Sequence, residues 1–248
     1  MFPIRDDNPQ LNKPIATYIV ISLNVISWVF LQGFGSTESI NVSICQFGVI
    51  PSDVFSDQMG GVRACPTTNS WLGLMSSMFI HGGWMHLLGN MWFLWVFGGN
   101  IEDSMGPIRF IIFYLLSGLC ATAVQVGSDP SSMIPIVGAS GAIAGVMGAY
   151  IMLFPKVKVH IFLFIFVFKI PAFAMLGYWA AIQLVGGLTS SSAGGGVAFW
   201  AHVGGFFAGS TLVWVFKDEE LLVNHPYRGW NETSDVANIW DDPTNKQD

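Results

Sequence analysis

Apolar runs recur along the chain, separated by short polar or glycine-rich stretches, and their lengths carry the first information. Ile15 to Phe34 has about the ~20 residues that a helix needs to cross a bilayer. Leu74 to Gly99, Ile108 to Val126 and Val197 to Phe216 are runs of the same kind. Ser140 to Phe154 is shorter, ~22 Å of helix at ~1.5 Å per residue against a hydrocarbon core of ~30 Å. Its non-helical entry must therefore lie below one membrane surface, surrounded by protein or water. Val159 to Phe168 is apolar but too short to span, and Lys169-Ile170-Pro171 interrupts it. A lysine at mid-membrane is expensive. Lys169 is thus expected near the inner face, with Pro171 opening a fifth span to about Gly187. One long tilted helix is the alternative. The pattern predicts an all-α polytopic membrane protein of six transmembrane helices with a short central fourth helix.

Composition agrees with that class. Hydrophobic residues make up 52% and charged residues 10% of the 248, whereas soluble domains carry about a quarter charged residues. The net charge of −6 is concentrated at one end. From Asp218 onward there are eight acidic and two basic residues, and the preceding 217 balance at eight against eight. No nucleic-acid surface is indicated. Three regions follow: residues 1–13, a polar N-terminal segment; 14–217, the membrane domain; and 218–248, an acidic tail.

The loop 35–73 holds Glu38, Asp53 and Asp57 with Arg63 as its only base, which places it outside. Arg5, Lys13, Lys156, Lys158, Lys169 and Lys217 then face inside, and both termini are expected in the cytoplasm. Glu102 and Asp103 fall in a short inner connection. Ile15 to Phe34 is too long an apolar core for a cleavable signal peptide and is read as a retained span. Cys45 and Cys65 can pair if the outer compartment is oxidising or stay as free thiols, and the sequence leaves both open. Cys120 reads as a core residue. The tail, with Trp230 and Trp240, reads either as an interaction segment or as a solvated end. Asn41-Val42-Ser43 and Asn231-Glu232-Thr233 match a glycosylation pattern.

The chemistry concentrates in a few polar residues within these runs. Gly138-Ala139-Ser140-Gly141 puts a hydroxyl on open backbone at the mouth of the short fourth helix. His86 and Asn90 are four apart and share one helical face. His202 lies near the outer end of the sixth run, and Gly205 with Gly209 makes a small-residue face for close helix contact. Each alone reads as packing glue. Together, Ser140, His202, His86 and Asn90 fall in one outer layer, which favours a site. An imidazole activates a serine, and His86, Asn90 and the Ser140 backbone N–H can serve a developing oxyanion. No Asp or Glu lies in that layer, so the arrangement is a Ser–His dyad without a third member. His81 has a weaker case, as a residue at the helix entrance.

These motifs resemble the rhomboid intramembrane serine proteases: Gly138-Ala139-Ser140-Gly141, Ala201-His202 followed by Gly205, and Phe79 to Asn90 with Gly98-Gly99-Asn100-Ile101-Glu102 after it. The resemblance covers about residues 14 to 217. It implies a six-helix rhomboid-like bundle with Ser140 as nucleophile, His202 as general base and His86 with Asn90 as oxyanion helpers. It also implies an endopeptidase that cleaves single-pass or other transmembrane proteins in or beside their membrane segments. Substrates would enter laterally near the second and fifth spans, with membrane lipids as the other partners. No metal or cofactor is implied. Two positions depart from the family pattern. Trp71 is followed by Leu72 where many members have Trp-Arg, and Ala144 stands where many have an aromatic residue beneath the histidine.

Other chemistries fit less well. A soluble-type hydrolase wants G-x-S-x-G, which Ala142 breaks, and a membrane zinc protease wants H-E-x-x-H. A transporter accounts for His202 and Asn90 but not for a serine at a glycine-flanked helix start. A non-catalytic rhomboid-like adaptor that binds transmembrane clients is the alternative function, although such adaptors typically lack the serine or histidine. The expected location is a prokaryotic cell membrane.

Overall fold

The computed structural model describes residues 2–54, 65, 70–163, 165–189, 197–223, 225 and 227. Asp57, Arg63, Trp230, Trp240 and the Asn231-Glu232-Thr233 pattern lie outside them. In chain order the elements are β1 (Phe2–Asp6), α1 (Ile15–Phe30), α2 (Thr37–Phe47), α3 (Pro51–Val54), α4 (Ser70–Ser76), α5 (Trp84–Met105), α6 (Pro107–Ser128), α7 (Ser140–Leu153), β2 (Lys158–Leu163), β3 (Phe166–Pro171), α8 (Ala172–Thr189), α9 (Phe199–Phe216) and α10 (Glu219–Val223). By length and composition α6, α8 and α9 can each cross a membrane, while α1 and α7 are shorter apolar helices.

Helix α7 is the centre of the bundle. Nearly all its residues are buried, and α5, α6, α8 and α9 surround it. Glycine makes this possible. A Cβ on Gly205 would run into the carbonyl of Gly141, one on Gly209 into that of Gly145, and one on Gly148 into that of Phe206. The α7 and α9 backbones therefore touch directly, the close approach that small residues allow within a membrane.

The expectation of an all-α protein is corrected. β1, β2 and β3 form an antiparallel sheet in that order, with Phe2 opposite Phe162, Asp6 opposite Val159, and Leu163 opposite Phe166. Val159 to Phe168 is too short for a span but rich in β-branched and aromatic residues that suit a strand. The N-terminal segment, read as merely polar, supplies the third strand. Asp7 ties the sheet together, meeting His160 Nε2 at 2.5 Å and Lys169 Nζ at 3.3 Å. Asp6 accepts from the Tyr150 hydroxyl on α7 and from Asn100 Nδ2 on α5 at 2.9 Å. Burial pushes the Asp6 carboxyl up to about 6.

Several boundaries also shift. The second run is not one helix: Leu74–Ser76 closes α4, Ser77–Phe79 forms a 3-10 turn, Ile80 is extended, and α5 starts only at Trp84. Glu102 and Asp103 are not in a connection but in the buried last turns of α5. The connection is Gly106 alone, whose φ of 79° suits glycine, with Pro107 starting α6. α1 begins after Pro14 without a side-chain cap of its own. Glu102 caps it from across the bundle, accepting from the Ala16 and Thr17 backbone N–H groups and the Thr17 hydroxyl at 2.8–2.9 Å. Asp103 accepts from Leu11 N and Asn12 N in the same way, at 2.7 and 3.0 Å. Cys45 and Cys65 are disulfide-bonded, with Cα atoms 5.3 Å apart. Cys120 is exposed on α6 rather than in the core.

Candidate active site

The site is assembled around the start of α7. Gly138 has a φ of 113°, a left-handed conformation that a side chain would strain. Its N–H donates to the Ser77 carbonyl at 2.8 Å, which fixes the turn. A Cβ at Gly138 would stand 2.5 Å from His86 Nε2 and 3.4 Å from Asn90 Nδ2. The glycine therefore lets both α5 side chains close on the backbone that precedes Ser140. His86 Nδ1 accepts from Gly82 N–H at 3.3 Å, so in the neutral ring Nε2 carries the proton and points toward Gly138 as a donor. Among the described residues, Asn90 Nδ2 is buried without a hydrogen-bond partner. The Ser140 N–H belongs to the first helical turn, whose donors have no partner within the helix.

His202 comes from α9, held against α7 by the glycine contacts. Its Nε2 lies 2.8 Å from Ser140 Oγ and its Nδ1 lies 2.8 Å from Gln183 Oε1 on α8. An amide oxygen can only accept, so Nδ1 carries the proton and Nε2 is left to accept from the serine hydroxyl. Gln183 is buried and was missed in the sequence, where its only signal is a lone amide inside an uncharged apolar helix. Trp179, one turn earlier on α8, packs its ring 5.7 Å from the imidazole. It provides the aromatic neighbour that Ala144 lacks, from a different helix. His81 is fully buried, with its backbone N–H and C=O both held by the Gln32 side chain and its ring edge-on to His86 at 5.1 Å.

Ser140, His202, His86 and Asn90 line one cavity of about 710 Å³, walled by Phe93 of α5, Met147 of α7 and Trp179 of α8. A rhomboid domain model matches residues 68–219. This chain belongs to the rhomboid family. It is 31% identical over 185 residues to RHOMBOID-like protein 4 of Arabidopsis thaliana, covering 73% of this chain and 42% of that protein. It is 29% identical over 154 residues to the mitochondrial Rhomboid protein 1 of Saccharomyces cerevisiae, covering 58% and 42%. Rhomboid protease GluP of Bacillus subtilis is 29% identical over 140 residues, covering 56% and 25%. The chain thus spans less than half the length of each of these rhomboid relatives, at least one of which is named a protease.

Proposed function

We propose that the protein is an intramembrane serine endopeptidase that cleaves peptide bonds in or next to transmembrane segments of other membrane proteins. The observation that carries this reading is the Ser140–His202 contact of 2.8 Å inside a cavity that also holds an unpartnered amide donor, Asn90 Nδ2. In the reaction, Ser140 Oγ bonds to the scissile carbonyl carbon while its proton passes to His202 Nε2. The carbonyl oxygen becomes an oxyanion that accepts from Asn90 Nδ2, His86 Nε2–H and the Ser140 backbone N–H. Collapse breaks the C–N bond, and the imidazolium returns its proton to the leaving amine. Water, deprotonated by His202, then hydrolyses the acyl-enzyme and frees Ser140. Gln183 acts as a positioning residue, fixing the His202 tautomer that can take the serine proton and stabilising the imidazolium through its amide dipole.

The same reading takes α1, α5, α6, α7, α8 and α9 as six membrane segments, with residues 1–13 entering from the cytoplasmic side, 218–248 in the cytoplasm and the loop 35–73 outside. The disulfide of that loop supports an oxidising outer compartment. A prokaryotic cell membrane is part of the proposal and draws on the bacterial relative alone, the other two being a mitochondrial and a plant protein.

An activity-based fluorophosphonate tests the proposal. It is expected to label wild type but not Ser140→Ala, and a single-pass transmembrane reporter in vesicles is expected to be cut by wild type alone. His202→Ala should abolish both signals. Full cleavage by Ser140→Ala would overturn the assignment, and client binding without any serine labelling would point to an adaptor.

A further inference from the structure

The sheet does not lie flat beneath the bundle; it runs alongside α5 toward the active-site cavity. Two contacts fix its direction. At the inner end, Asn100 of α5 donates to Asp6. From Asn100 to Trp92 the helix climbs ~12 Å, and there Trp92 Nε1 donates to the Pro3 carbonyl at 2.5 Å. From Asp6 to Pro3 a strand covers ~10 Å, so strand and helix rise together. Phe2 packs on Trp92 and Phe93 at 5.2 and 6.4 Å between ring centroids, and Phe93 lines the cavity that holds Ser140. Since Phe162 is the register partner of Phe2, the tip of the β2–β3 hairpin reaches the level of the cavity wall. With α5 taken as a span, that tip is inside the membrane.

The hairpin's composition fits such a place. No charged residue occurs from Ile161 to Phe168, and the lysines stand at its root: Lys158 opposite Pro171, and Lys169 opposite His160. Ile165, Phe166, Val167 and Phe168 are 80%, 60%, 53% and 47% exposed, an apolar surface that suits lipid and not water. β1 packs against α5, while β2 and β3 pack against α8. The sheet therefore bridges the inner halves of the two helices whose outer halves wall the cavity.

One feature does not suit lipid. β3 pairs with β2 on one side only and ends the sheet on the other, with no further strand beside it among the described residues. Every second residue of an edge strand turns its N–H and C=O outward, and acyl chains cannot satisfy them. An extended peptide can. The protease reading supplies one at this place, because a transmembrane helix must unwind to present a peptide bond to Ser140.

We propose that the outer edge of β3 is a docking strand that pairs, main chain to main chain, with an extended apolar stretch of the incoming transmembrane substrate on the inner side of the scissile bond. This rests on the protease reading and adds a binding site to it. Pairing through the backbone makes the site tolerant of sequence, while Phe166 and Phe168 exclude charged side chains from the paired stretch.

The test uses the full chain carrying Ser140→Ala in phospholipid vesicles, with a photoreactive p-benzoyl-phenylalanine at position 166 or 168. The probe is a single-pass reporter that wild type cleaves. Irradiation is expected to give adducts that map to the inner side of the cleavage site and that excess unlabelled reporter suppresses, while the same group at position 112 on α6 gives none. Adducts with lipid alone, or with a second copy of the chain alone, would overturn the docking strand. Adjacent strand residues point their N–H groups to opposite edges, so one of Val167→Pro and Phe168→Pro removes an outward donor. That variant should raise KM for the reporter roughly 2–12-fold, the worth of a hydrogen bond, with fluorophosphonate labelling unchanged. Unchanged KM in both variants counts against the proposal. Wild type that fails to cut the reporter rejects the protease reading; cleavage without adducts at 166 or 168 rejects the docking strand alone.

Discussion

The two ends of α5 use buried polar residues in opposite ways. At its Met105 end, the inner one on the proposed topology, Glu102 and Asp103 accept five hydrogen bonds between them from the segment Leu11–Thr17, anchoring the start of α1. At the outer end Asn90 keeps its Nδ2 donor unpartnered, and His86 turns Nε2 toward the Gly138 turn. Burying a polar group without a partner is costly. Asn90 differs from other buried unpartnered groups, such as Asn100 Oδ1 on the same helix, in lining the cavity, where a ligand can supply its partner; the satisfied carboxylates hold the chain together. The contrast separates architecture from chemistry on a single helix.

The comparison can be broken at either end. Glu102→Ala should lower stability by about 3–5 kcal/mol, because it strands three buried donors at the start of α1. The check is thermal unfolding in detergent, with fluorophosphonate labelling per folded molecule expected to be unchanged. Asn90→Ala should do the reverse. Loss of an oxyanion donor should cost ~2.7–4 kcal/mol in kcat, while the unfolding midpoint stays near that of wild type. A large fall in stability for Asn90→Ala would erase the distinction.

Asp6 offers a pH-dependent test of the inner end. Its carboxyl is raised from 3.8 to about 6, chiefly by burial. The folded state therefore holds this proton more tightly than the unfolded chain does. The contribution is fully present below pH ~4 and is lost as pH rises through about 6, a change of up to ~3 kcal/mol. The unfolding midpoint of wild type relative to Asp6→Asn should fall over that window. A constant difference between the two would show that Asp6 does not titrate there.

The smallest effect sharpens the outer end. Gln183→Leu should reduce kcat by roughly tenfold, the worth of one hydrogen bond to an imidazolium. Gln183→Glu should move the acidic limb of the kcat/KM profile to higher pH, because a carboxylate favours the protonated imidazole. A purely structural glutamine would change expression or melting and leave that limb in place.

Local motifs made part of this legible. The residues around Ser140 and His202 and the i, i+4 pair His86 and Asn90 stand out because each is a short pattern against an apolar background, and the structure brings all four to one cavity. What was hidden depends on partners far away in sequence. Phe2–Asp6 becomes a strand only because Lys158–Leu163 pairs with it, and hydropathy registers an apolar run without saying what it pairs with. Glu102 and Asp103 look like a charged loop until the N-terminal segment folds back on them. Gln183 carries no motif; its meaning comes from the imidazole that α9 places beside it.

The backbone contact of α7 with α9 has a consequence for how such a protein can change. With Gly205 and Gly209 against the carbonyls of Gly141 and Gly145, any larger side chain would act as a wedge, so the helices that carry Ser140 and His202 move as a single body. Cavity-wall residues such as Met85 and Phe93 of α5 lie outside that contact and outside the proposed catalytic set. On the protease reading, new clients can be acquired by altering such wall residues, while Ser140 and His202 keep their spacing.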